Sequence, residues 1–313
     1  VAAGLAWVYP EPGAAGGVLY PELSNALGVA LIFLLHGLLL PFAALRAGTL
    51  LWRLHLVVQA STYLFCPLLG LATLRLLGPS LEPSFALGIF FLCALPSTVS
   101  SSVAMTAVAG GNVSAAVFNA TLSSMLGVFL TPLWVGVVMG GSGAALPLGQ
   151  VVLDLVLWIL LPLALGQLLR PRFGSLAARY EAQINALDRV IILFLVYTSF
   201  CDSVVSGVWL GSGLGTLLAT LAFSVLLLAV LLTAVNACSR LIGFPRADRI
   251  AAVFCGSKKS LATGIPMARL MFPGNAGLSL ILLPIIVYHS LQLVVCGWLA
   301  VRFGAATSDA RKK

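Results

Sequence analysis

Along this chain, apolar residues neither alternate with polar ones nor recur every three or four positions. They run on for about 20 residues at a time and stop at a charge, a proline or a glycine. A helix of that length, rising 1.5 Å per residue, crosses the ~30 Å hydrocarbon core of a bilayer. Only helices and closed barrels satisfy the backbone in lipid, and barrel strands would alternate in segments of about ten residues. The pattern therefore predicts an all-α integral membrane protein.

Read in order, the runs predict helices near 26–45 and 55–77, then one near 85–110 interrupted by the polar stretch 96–102. Another covers 112–139 and is followed by a Gly-rich turn. A sixth spans 151–169, a polar linker occupies 170–189, and further helices lie near 190–208 and 213–238. A ninth begins at 250 and is broken at 256–260, and a tenth is near 278–301. Residues 1–9 are apolar but cover at most half a bilayer, so the expectation is an incomplete first transmembrane helix. No signal peptide is read there.

The linker divides the chain into two groups of five helices. Because five is odd, equivalent helices would run in opposite directions. In each group the fourth helix is the broken one. Matched interruptions of this kind point to the binding site of an inverted-repeat transporter. The expected units are a first repeat over 1–145, a second over 146–303 and a basic cytoplasmic tail over 304–313.

Composition agrees. Of 313 residues, 60% are hydrophobic and 8% charged, and the mean hydropathy is +1.10. A soluble domain carries about 25% charged residues, so this chain could not keep a water-facing surface wet. The net charge of +8 falls in short loops, not on one face, which excludes a nucleic-acid partner and fits membrane topology. One side of the predicted topology holds thirteen basic residues, among them Arg46, Arg170, Arg189 and Arg246, and the other holds Arg75 and Arg269. That bias places both termini in the cytoplasm, with the protein in a plasma (bacterial inner) membrane surrounded by lipid. The six cysteines lie in apolar runs without disulfide or metal spacing and read as packing residues.

The first break carries Ser97, Thr98, Ser100, Ser101 and Ser102 beside Pro96. Hydroxyls and freed carbonyls in unwound backbone can ligate a cation or hold a polar solute, although serine and threonine also bond back to their own helix. The second break carries Gly256, Ser257, Lys258, Lys259 and Ser260. A lysine at mid-bilayer costs roughly 2.5–3.5 kcal/mol to insert, so two adjacent ones call for a function in ion, proton or solute binding. Gln59 and Asn119 are further polar candidates, and His36 and His289 join Lys258 as groups that could carry a proton. Asp154 and Asp202 sit near helix ends. No zinc motif, phosphate loop or nucleophile with a positioned base is present, so an enzyme is not expected.

Residues 95–113, Leu-Pro-Ser-Thr-Val-Ser-Ser-Ser-Val-Ala-Met-Thr-Ala-Val-Ala-Gly-Gly-Asn-Val, resemble the fourth-helix motif of the bile acid:sodium symporter family. Residues 254–266, Phe-Cys-Gly-Ser-Lys-Lys-Ser-Leu-Ala-Thr-Gly-Ile-Pro, resemble the ninth-helix motif of its SBF-like branch. That branch contains bacterial cotransporter-like proteins and the vertebrate solute carrier family ten member seven.

The resemblance implies ten helices in two inverted repeats, core and panel domains, two broken helices crossing near the midplane, and alternating access. It also implies sodium held by the third, fourth, fifth and ninth helices. Gln59 matches a third-helix glutamine and Ser102 a fourth-helix hydroxyl, which places a possible sodium near Ser102, Asn119 and Thr121.

Departures from the family pattern fall on that site. Phe254 stands where the bile acid carriers have glutamate, and Lys258 where they have glutamine. Val103 replaces an asparagine, and Ala116 and Ala120 replace hydroxyl residues. The expectation is that the Lys258 ammonium substitutes for one sodium, bridging the breaks through Gln59 and the carbonyls of 97–102. The expected function is secondary transport of a small organic, anionic solute, coupled to sodium, to protons or to neither. The competing expectations are a non-transporting regulator of calcium homeostasis and a cation/proton antiporter of similar fold. No cofactor beyond the coupling ion is expected.

Overall fold

The computed structural model describes residues 2–39, 51–141, 147–205 and 213–311, and among them every regular element is helical. In chain order these are α1 (Ala2–Val8), α2 (Pro21–Leu39), α3 (Trp52–Ser80), α4 (Pro83–Ala94), α5 (Ser100–Val108), α6 (Val113–Gly141), α7 (Leu148–Arg179), α8 (Glu181–Val205), α9 (Leu214–Leu241), α10 (Arg246–Ser257), α11 (Leu261–Met271) and α12 (Leu278–Arg311). Six of them, α3, α6, α7, α8, α9 and α12, are long and apolar enough to cross a membrane, and α2 and α4 are shorter apolar helices. Arg46, the Gly-rich turn after α6 and the last two lysines lie outside the described residues.

The expected linker over 170–189 is not a loop. Helix α7 runs on to Arg179 and α8 starts at Glu181, with only Tyr180 between them. Ala and Arg are the commonest residues of that stretch, and both favour helix. The polar composition records where the helices leave the apolar zone, not where they end.

Close helix crossings occur where side chains are missing. Gly37 of α2 and Gly166 of α7 face each other so closely that a Cβ on either would strike the opposing backbone. A Cβ on Gly88 of α4 would lie 2.7 Å from the carbonyl oxygen of Ile281 in α12. In lipid, helices associate by such packing because no hydrophobic drive distinguishes a neighbour from a lipid tail. Around α4 the core is dense: Phe90, Phe91, Leu92, Cys93, Ala94 and Leu95 are all fully buried, with Ile281 and Ile285 of α12 in the same cluster.

Both breaks lie in this dense region. The chain is extended at Leu95 after α4, and extended again at Lys258 and Ser260 between α10 and α11. The two extended stretches meet, with the Ser260 amide donating to the Pro96 carbonyl at 2.9 Å.

Candidate functional site

A helix that stops inside a membrane leaves its last carbonyls without intrahelical partners, and lipid supplies none. At the end of α4 those carbonyls are met individually. Ala94 accepts from the Thr131 hydroxyl of α6 at 2.8 Å, and Pro96 accepts from Ser260. Cys93 and Leu95 both accept from the Lys259 ammonium at 2.8 Å.

The end of α10 is treated in the same way. Phe254 accepts from Ser102 at 3.2 Å, Gly256 from Ser61 at 2.9 Å and Ser257 from the Tyr288 hydroxyl at 2.6 Å. Each broken end is thus closed by side chains from helices far away in sequence.

The third wall is a turn of α3. Residues Ser61–Phe65 form a π-turn, in which the Cys66 amide bonds Ser61 instead of Thr62. Pro67 has no amide to offer Tyr63. Two carbonyls are therefore free of helix bonds, as π-turns at functional sites commonly arrange. Thr62 accepts from the Lys259 ammonium at 3.2 Å, and Tyr63 accepts from the Trp134 indole at 2.8 Å. The Tyr63 hydroxyl in turn donates to the Ser123 carbonyl, and the Ser123 hydroxyl receives the Ser97 amide at 2.9 Å.

The two lysines, adjacent in sequence, occupy different surroundings because side chains alternate across an extended backbone. Both are fully buried. Lys259 has three N–H groups and three carbonyl partners, those of Thr62, Cys93 and Leu95. It sits at the C-terminal end of α4, where the helix dipole favours a cation. Gln292 of α12 clamps its backbone, accepting from the Lys259 amide at 2.9 Å and donating to its carbonyl at 2.8 Å. His289, one turn earlier, accepts the other Gln292 N–H through Nδ1 at 2.9 Å.

Lys258 points toward α5. Its ammonium donates to the Ser101 carbonyl at 2.9 Å and to the Met105 thioether at 2.6 Å, with its nitrogen 5.6 Å from the centre of the Phe254 ring. A thioether is a weak acceptor. Among the described residues the third N–H has no partner, and the first turn of α5, with its positive dipole end, adds to the cationic character. Among the described residues neither lysine has a carboxylate partner; His36 of α2 lies 3.5 Å from Asp188 of α8, away from both.

Lys258 bridges the breaks through one of the expected carbonyls, that of Ser101, but not through Gln59, and Lys259 makes a second bridge to the end of α4. Gln59 instead donates to Asn119, at 3.1 Å to its carbonyl and 3.4 Å to its side-chain oxygen.

The other expected residues are placed as follows. Thr98 lies 2.8 Å from the hydroxyls of both Ser101 and Ser102. Ser257 donates back to Val253 at 2.7 Å, and Ser260 caps α11 by accepting from the Thr263 amide at 3.2 Å. Thr121 bonds back to Val117 at 2.8 Å, and Asn119 donates to Ala115 at 2.9 Å. Ser97 and Gln59 each keep one buried oxygen without a hydrogen-bond partner. His289 is drawn into the site, whereas His36 lies against Asp188 of α8 and Phe33 of α2.

Gln292, Tyr288, Ser61, Thr62, Ser123 and Thr131 belong to the site and were not expected in it. Two sequence signals bear on them. Pro67 marks the freed carbonyl of Tyr63, and the i, i+3 spacing of His289 and Gln292 puts two polar groups on one face of an apolar helix.

A sodium ion between Ser102, Asn119 and Thr121 would meet neutral oxygens only; the Ser102 and Thr121 hydroxyls donate their protons to carbonyls, which leaves their oxygen lone pairs open to a cation. The carbonyl set that would best replace a hydration shell is filled by the Lys259 ammonium. With the ammonium there, the carbonyls at the end of α4 and of Thr62 do not fit a sodium ion.

Residues 1–305 match the SBF-like CPA transporter family. The Escherichia coli protein named "Putative symporter YfeH" is 42% identical over 290 residues, 93% of this chain and 86% of that protein. The Pseudomonas aeruginosa protein PA2026 is 43% identical over 293 residues, 94% and 87% of the two chains. Sodium/bile acid cotransporter 7 of Rattus norvegicus is 33% identical over 298 residues, again 94% and 87%. With two broken helices whose ends meet inside an apolar bundle, and a family match over nearly its whole length, this chain belongs to the SBF-like CPA transporter family.

Proposed function

We propose that this protein moves a small organic anion across a membrane by alternating access, as a secondary transporter. The observation that carries the anionic character is Lys258: a buried ammonium with one strong acceptor and, among the described residues, no carboxylate, beside the N-terminal turn of α5. A transmembrane half-helix N-terminus and an under-coordinated cation together favour a ligand carboxylate or similar group. Met105 and Phe254 supply an apolar flank that can release the ammonium as the anion arrives.

In this reading α4 with α5, and α10 with α11, each act as one interrupted span. Their 21 and 23 helical residues, at about 1.5 Å per residue, make roughly 30–35 Å. With α1 and α2 they complete ten helices, five per inverted repeat, with both termini in the cytoplasm of a bacterial inner membrane. The relative named as a sodium/bile acid cotransporter supports sodium as coupling ion, with Gln59, Ser97, Ser102, Asn119 and Thr121 as neutral oxygen ligands. His289 is the group available for coupling to a proton.

The test is uptake of radiolabelled organic anions into proteoliposomes, with neutral analogues as competitors and with imposed sodium or pH gradients. Saturable uptake of an anion, lost in Lys258→Gln, is expected. Uptake of neutral solutes unaffected by anions, or Lys258→Gln transporting with wild-type sodium and pH dependence, would end this reading.

A further inference from the structure

We infer that Lys259 is a tethered cation: its ammonium permanently occupies a monovalent-cation position formed by the crossed helix breaks, so that no inorganic ion binds or leaves there. This rests on the geometry of Lys259 and not on the identity of the solute.

Carbonyl oxygens from two separate segments, Thr62 of the α3 π-turn and Cys93 and Leu95 at the end of α4, converge on one nitrogen at 2.8–3.2 Å. Backbone carbonyls gathered in this way are how membrane proteins replace the hydration shell of a monovalent ion. The lysine is delivered from a third segment whose backbone is fixed at both its amide and its carbonyl by Gln292. The ammonium thus ties α3, α4 and the second break at one point, and all three of its donors are spent.

A free ion in this cage would carry charge through the transport cycle, whereas a tethered one stays with the protein. The position therefore holds the crossing together without contributing to coupling. The chemistry divides between neighbours: Lys259 is structural charge, and Lys258 is the charge left for a ligand.

The experiment uses purified full-length protein in detergent at constant ionic strength. Lys259→Ala opens the cage. Its melting temperature is expected to fall by several degrees, and to recover in a saturable way with sodium, ammonium or methylammonium but not with choline. Lys258→Ala, treated identically, is expected to gain no such response. If Lys259→Ala melts lower and no small cation restores it while choline and sodium act alike, the cage is not a cation position and the inference fails.

A second measurement needs no variant. The wild-type protein is treated with a membrane-permeant amine acylating reagent under transport conditions, and the peptide bearing 258 and 259 is mapped by mass spectrometry. Lys259 is expected to stay unmodified in every condition. Acylation of Lys259 during turnover would show that its ammonium leaves the carbonyls, which overturns the inference.

Discussion

Replacing Gln292 by leucine removes the clamp on the second break while nearly preserving side-chain volume. The carboxamide makes three hydrogen bonds, two of them to the backbone of Lys259 and one to His289. Leucine leaves the Lys259 amide and carbonyl buried without partners, at about 1–3 kcal/mol each. Swapping a buried carboxamide for an apolar group of similar size returns part of this, on the order of 1–2 kcal/mol. The net expected loss is about 1–4 kcal/mol.

Reversible unfolding in mixed micelles, driven by a rising fraction of denaturing detergent and read by tryptophan fluorescence, measures it. His289→Ala removes one of the same bonds, at about 0.5–1.5 kcal/mol, and the two losses should fall short of additivity because they share Gln292. A Gln292→Leu loss below about 0.5 kcal/mol, comparable to a surface change, would mean that the Lys259 backbone finds other partners and that Gln292 does not hold the break.

Exchanging each lysine for methionine separates their roles. Both changes relieve the same insertion penalty of about 2.5–3.5 kcal/mol, but Lys259→Met strands three carbonyls and Lys258→Met one, so Lys259→Met is expected to cost about 2–6 kcal/mol more in the same unfolding assay. Thr131→Val strands the Ala94 carbonyl at the end of α4 and should destabilise by about 1–3 kcal/mol, read as a lower melting temperature with the sodium response unchanged. Gly88→Val would place a side chain against the backbone of Ile281. It should cost at least about 1–3 kcal/mol, seen as reduced yield of folded protein on size-exclusion chromatography, while Gly140→Ala, at a position with open space, should not.

The broken helices were readable because polarity inside an apolar run has few explanations: Pro96 with its hydroxyls, and the two lysines, marked both interruptions to within a few residues. Helix ends near water were harder to read. The stretch 170–189 looked like a linker because charge and loop coincide in short-loop membrane proteins, yet it is helix on both sides of Tyr180. Hydrophobicity reports where a helix meets water, and continuing past that boundary is decided by propensity. The π-turn at Ser61–Phe65 left only Pro67 as a trace, since one altered amide bond changes no residue type.

The division of labour between Lys258 and Lys259 was the least legible feature, and its cause is local. Periodicity along a helix would have put two adjacent residues about 100° apart, in overlapping surroundings, and both ammoniums would have shared whatever acceptors were near. An extended break turns them to opposite sides instead, so one-residue spacing becomes separation between two walls of the site. On one side lie the carbonyl-rich end of α4 and the π-turn, which can satisfy an ammonium completely. On the other lie the first turn of α5, a thioether and an aromatic ring, which satisfy it poorly. The second environment alone leaves electrostatic demand unmet by the protein. If the proposed anionic solute binds there, its carboxylate would complete the coordination of Lys258 without disturbing the tie made by Lys259, and ligand binding and the integrity of the crossing would then be separable by mutation.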